Sequence, residues 1–193
     1  PTLCFRGMDN AIIYSLADDK RHYQDYTGIG NTVNANHPVV RDHIIAALRH
    51  WTVEMHVDGF RFDQSSVLGR DSTGKLLAKS PLLGRIAEDP ILRDMKIIAE
   101  AWDAGGAYEV GSFSKRRWSE WNGHYRDEVR RFWRGDDGMG GLFAQRVCGS
   151  ADIYSQTGKE PECSINFITC HDGLPVCPRH DRLPVTANSG VPV

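Results

Sequence analysis

Three carboxylates stand at or near the ends of apolar runs in this chain, and each has neighbours that could work with it. Asp63 closes VDGFRFD (57–63), two residues after Arg61; Glu100 lies in MKIIAEAWD (95–103), between Ala99 and Ala101 with Trp102 beyond; Asp172 ends SINFITCHD (164–172), directly after His171. A carboxylate beside a guanidinium stays ionised, whereas one hemmed in by apolar groups keeps its proton to higher pH. Glycoside hydrolysis needs that asymmetry: one carboxylate attacks, another donates a proton, and further groups stabilise an oxocarbenium-like centre. Asp63 suits the charged role and Glu100 the protonated one. Each residue alone has a plainer use, since a strand-terminal Asp often makes a turn or cap and a Glu often pairs with a cation. The recurrence at three strand ends favours a shared site.

The elements that must position these groups alternate. HPVVRDHIIAALRHWTVEMH (37–56) places Val40, Ile44, Ala47, Leu48, Trp51 and Met55 at helical spacing, with Pro38 suited to the first turn and Asn36 near the cap. A strand over 57–63 follows, then a Gly-containing loop and a short helix opened by Ser80 and Pro81. A second strand covers 95–103. A short strand near Glu120 precedes a helix through YRDEVRRFW (125–133), with Val129, Phe132 and Trp133 on one side, and the third apolar run covers 164–172. Strands alternating with helices imply parallel pairing, which a doubly wound sheet and a (β/α) barrel both satisfy. In a parallel barrel the carboxyl ends of all strands open on one face, so groups distant in sequence converge there. Alternation along 57–63 puts Gly59, Arg61 and Asp63 on one side and Phe60 and Phe62 on the other. Residues 1–35 read as irregular surface structure. The last twenty residues, with four prolines and no periodicity, read as a loose tail.

Bulk properties exclude several classes of function. The 193 residues suit one domain or part of one, and 40% hydrophobic with 25% charged residues is ordinary globular composition. A net charge of -2 gives no electrostatic case for nucleic acid or an anionic membrane. No apolar run approaches the roughly 20 residues of a bilayer span. Five cysteines, an odd number without CxxC pairing, suggest free thiols in a reducing compartment. The expected setting is the cytoplasm, or a plastid in a plant or alga.

VDGFRFD, IIAEAWD and FITCHDG, in that order, resemble three signature segments of the alpha-amylase superfamily (glycoside hydrolase family 13), in wording closest to the isoamylase-type glycogen and starch debranching enzymes. The resemblance extends through TGIGNTVNANHPVVRDHI, AEAWDAGGAYEVGSF and WSEWNGHYRDEVRRFWRGDDG, over most of residues 1–173. It implies an α/β fold, a partial (β/α)8 TIM barrel of roughly strands four to seven over 1–173, with 174–193 as a tail outside the family pattern. It implies retaining hydrolysis of α-1,6 branch linkages in glycogen or starch-like glucans. Asp63 corresponds to the nucleophile, Glu100 to the general acid and base, and Asp172 to the third carboxylate, which engages sugar hydroxyls. Arg61 and His171 correspond to residues that orient the nucleophile and bind sugar, and Trp102 and Tyr108 are candidate stacking surfaces for glucose rings. Retention implies nucleophile and acid about 5–5.5 Å apart.

Such chemistry requires no organic cofactor, and no EF-hand loop or compact carboxylate cluster commits the chain to a metal. The partner is branched α-glucan. An α-1,4-acting amylase or transglycosylase would share the three carboxylates, and a non-catalytic glucan-binding fragment would share the fold. The chain departs from the family pattern in three places. Gln64 stands where an apolar residue usually follows the nucleophile, the Asn-His signature of the third strand has no counterpart (Asn36 and His37 lie beyond it), and the likeness stops after Gly173. As a half barrel, the isolated chain is expected to show little activity.

Overall fold

Residues 5–114 and 117–171 are described by a computed structural model, in which the chain falls into two compact units, Pro1–Glu120 and Trp121–Val193. The first unit opens with a short helix, α1 (Asn10–Ile13), and an arch held by isolated bridges between Tyr14 and Val33 and between Leu16 and Tyr23. Then α2 (Pro38–Val53) begins at the proline, whose missing N–H is no loss in a first turn. The cap is His37, whose ring accepts from the Val39 N–H at 3.3 Å. Asn36, the residue expected near the cap, instead donates to the Arg70 carbonyl. The buried face of α2 runs through Val40, Ile45 and Leu48, while Trp51 and Met55 are half exposed, so the apolar stripe expected from spacing is shifted by about one residue.

Strand β1 (Gly59–Phe62) and strand β2 (Lys96–Ala99) pair in parallel, from Gly59 opposite Lys96 to Phe62 opposite Ala99. Gly59 is required there: a Cβ would lie 2.5 Å from the Lys96 carbonyl oxygen. Between the strands, α3 (Pro81–Glu88) is capped by Ser80, which accepts from Leu83 N–H and donates to the Leu68 carbonyl. β3 (Ser119–Trp121) continues the parallel sheet, with Ser119 and Glu120 opposite Ile98 and Ala99. Helix and strand bury one core in which Ile45, Leu48, Leu82, Ile86, Ile97 and Trp118 are central. Arg117 closes the α3–β2 side by donating to the carbonyls of Ala87, Leu92 and Met95.

In the second unit, α4 (Gly123–Arg134), α5 (Gly140–Val147) and α6 (Ala151–Tyr154) lead to β4 (Ser164–Ile165). Asn122 organises it. The side chain caps α4 through Tyr125 N–H at 2.9 Å and donates to Ser150 and Ser164, and the backbone N–H meets the Ile165 carbonyl. The inner face of α4 carries Arg126 and Arg130 with Val129, while Trp133 is exposed, so the expected Val129–Phe132–Trp133 face is not the buried one. Arg146, 1% exposed, is held by Glu128 and Asp152. The third apolar run is a strand for two residues only. Beyond them the Ile168 carbonyl accepts from Arg130 rather than from a neighbouring strand. Residues 174–193, expected as a tail, lie outside the described residues. No helix among the described residues is long and apolar enough to cross a membrane.

Candidate active site

The first unit places Arg61, Asp63 and Glu100 together. Because β1 and β2 run in parallel with Phe62 opposite Ala99, the residues that follow both strands leave the sheet at the same end. Arg61 bridges them: one guanidinium nitrogen pairs with Asp63 and the other lies 3.1 Å from Glu100 Oε1. Asp63 is open to solvent, its side chain 69% exposed, whereas Glu100 is 2% exposed. The Glu100 backbone carbonyl accepts from both the N–H and the hydroxyl of Ser65, and its own N–H donates to Phe62. Its carboxyl oxygen Oε2 accepts from Gln64 N–H at 2.7 Å.

These surroundings raise the proton affinity of Glu100. Burial is the main cause; the Gln64 N–H and Arg61 oppose it, and the charge of Asp63 and a hydrogen bond with its side chain add to it. An exposed carboxyl beside a guanidinium, next to a buried carboxyl whose proton affinity is raised, is the kind of pairing that a nucleophile and a proton donor require.

Loops wall this pair. Asp25 ties loop 25–30 into a tight turn, its carboxylate accepting from the N–H groups of Thr27, Gly28 and Gly30 and from the Thr27 hydroxyl. That turn sits on the loop after β2, where a Cβ on Gly28 would come within 3.2 Å of Ala104 and where Gly105 N–H donates to the Tyr26 carbonyl. The loop after β2 folds back on itself through paired Trp102 and Tyr108. At its tip, Asp103 grips Arg70 in a two-pronged ion pair, at 2.8 and 2.9 Å, and accepts from Ala107 N–H. Arg70 in turn lies over the Tyr26 ring, 4.5 Å from its centre. Glu109 is also raised in proton affinity, burial being the main cause and the charge of Asp103 adding to it.

Trp102 and Tyr108 stack on each other, with centroids 5.9 Å apart and planes 15° from parallel, and Tyr108 keeps half its surface exposed. His171 belongs to the second unit and is exposed, and Asp172 lies outside the described residues. Sequence reasoning missed Gln64, Ser65 and the Arg70–Asp103 pair. Nothing in spacing alone links Arg70 to Asp103, 33 residues away.

No family model matches the chain. Among curated proteins it is 50% identical over 194 aligned positions to "Isoamylase 1, chloroplastic" of Oryza sativa subsp. japonica, covering 90% of this chain and 24% of that protein. It is 50% identical over 178 positions to "Glycogen operon protein GlgX homolog" of Mycobacterium tuberculosis, again covering 90% of this chain and 24% of that protein. Among solved structures, a pullulanase from Bacillus acidopullulyticus superposes with a TM-score of 0.64 at 25% identity, covering 83% of this chain and 20% of that one. The chain thus spans about a quarter of the length of the curated relatives it matches.

Proposed function

We propose that this chain, 50% identical over nine-tenths of its length to a chloroplastic isoamylase, carries the nucleophile and the proton donor for hydrolysis of α-1,6 branch linkages in glycogen or starch-like glucans. The observation that carries this reading is the Arg61-bridged pair of an exposed Asp63 and a buried Glu100 of raised proton affinity. Asp63 attacks the anomeric carbon while Glu100 gives its proton to the departing glycosidic oxygen. Glu100 then takes a proton from the water that releases the sugar, so configuration is retained.

Asp172 and His171 complete the site in this reading, engaging sugar hydroxyls, and the exposed face of Tyr108, backed by Trp102, gives a flat apolar platform for a glucose ring. The four strands take the places of strands four to seven of a (β/α)8 barrel, with residues 1–173 in one catalytic domain. A cytoplasmic or plastid setting follows from a glucan store kept there.

The test is product analysis with the gene's full product. Amylopectin should be converted to linear chains with no shortening of unbranched amylose, and Asp63→Asn should lower turnover by at least about a thousandfold while glucan binding persists. Internal cleavage of amylose would assign an α-1,4 activity instead, and binding without turnover in the native protein would leave only a glucan-binding role.

A further inference from the structure

Gln64 follows Asp63 at the position where the family pattern has an apolar residue, and the proposed reaction leaves it without a task. Its backbone is left-handed, with φ 40° and ψ 48°, a conformation that residues bearing a Cβ adopt only when something holds them there. The holding groups are visible. Gln64 Nε2 donates to the Thr27 carbonyl at 2.8 Å, and Oε1 accepts from Ala104 N–H at 3.2 Å. One side chain thus joins loop 25–30 to the loop after β2, each already fixed by its own carboxylate, Asp25 in one and Asp103 in the other. The same left-handed turn aims the Gln64 N–H at Glu100 Oε2, 2.7 Å away. An apolar side chain could make neither loop contact.

We propose that Gln64 is a positioning residue for Glu100: its amide locks the turn between the two loops, and the locked turn holds the Glu100 carboxyl through the backbone N–H. This role rests on Glu100 being the acid and base of the proposed reaction. Release of the turn would loosen the aim of the carboxyl and weaken a bond that favours its charged form.

The experiment compares the gene's full product with its Gln64→Leu and Gln64→Glu variants. Gln64→Glu keeps an acceptor for Ala104 N–H and sets an oxygen against the Thr27 carbonyl, so it breaks one arm of the clamp. The first readout is the titration of the Glu100 carboxyl by carbon NMR on glutamate-labelled protein, assigned by the signal that Glu100→Gln removes. Gln64→Leu should move that titration to higher pH, and Gln64→Glu should move it at least as far, because the new carboxylate adds a like charge near Glu100 to the broken arm. The second readout is kinetics on amylopectin: kcat should fall about tenfold in Gln64→Leu with KM nearly unchanged, and the alkaline limb of the pH profile should follow the titration. An unshifted titration in a folded Gln64→Leu protein overturns the proposal, as does a loss confined to KM. Should the Leu variant fail to fold, Gln64→Met, neutral and of similar length but without either arm of the clamp, decides by the same titration. Because the titration needs no turnover, a native protein inactive on branched glucan would sink the reaction and leave Gln64 to be judged by NMR alone.

Discussion

Burial that raises a carboxyl's proton affinity makes its charged form costly to the folded state, and Glu100 is such a group. Its proton affinity stands above the ordinary value of 4.5, with burial the main cause. In the unfolded chain it ionises near that value, so between there and its folded titration point the folded state binds more protons. Stability therefore falls as pH rises through this window. Below it the carboxyl is neutral in both states and burial of charge costs nothing. Gln is neutral at every pH, so Glu100→Gln should gain stability relative to the native protein between pH 4 and pH 8, even as it removes the proton donor. Urea midpoints for both proteins at the two pH values check this. A relative gain for the native protein at the higher pH would mean that Arg61 and the Gln64 N–H outweigh burial, and would remove Glu100 as the acid. That Asp63 and Glu100 come together was open to sequence reading, because each ends an apolar run and the two runs pair in parallel. Gln64 was not, since its task depends on a left-handed backbone and on loops 37 and 40 positions away.

At the level of elements, the same contrast separates what periodicity can tell from what polar side chains decide. Ser80 and Pro81 announced α3, and the apolar runs announced β1 and β2, because capping and burial are local rules. The third run misled because Ile168 O is taken by Arg130, a helix residue that periodicity assigns to solvent. Buried arginines are invisible to hydropathy; their burial is tolerated here by carboxylates and carbonyls that no spacing rule locates. Asn122 is a similar case. It is fully buried, caps α4, and gives both hydrogens of its amide to Ser150 and Ser164, so it fastens the start of α4 to the start of α6 and to β4. Asn122→Ala removes the cap and leaves buried hydroxyls short of a donor, for a loss of about 2–3 kcal/mol. Chemical denaturation should show this as a lower midpoint with an unchanged slope. A loss under about 0.5 kcal/mol would mean that water or a neighbouring side chain takes over its bonds.

For the whole molecule, the question is what covers the surfaces that a closed barrel would bury. Among the described residues β1 pairs only with β2, leaving its other edge open, and the last turn of α2 and the residues just after it carry Trp51, Val53 and Met55, each about half exposed. An open parallel edge next to exposed apolar side chains is an invitation to pair with another chain. In the proposed barrel that edge meets the third strand. The 193-residue chain produced by itself should therefore elute as an associated species, bind a hydrophobic dye, and leave amylopectin intact. Trp51→Ser with Met55→Lys should reduce both association and dye binding without restoring hydrolysis, because the substitutions blunt the surface but supply no strand. A dye-silent monomer with a sharp unfolding transition would show instead that these residues close their own edge, and the half-barrel assignment would then have to be given up.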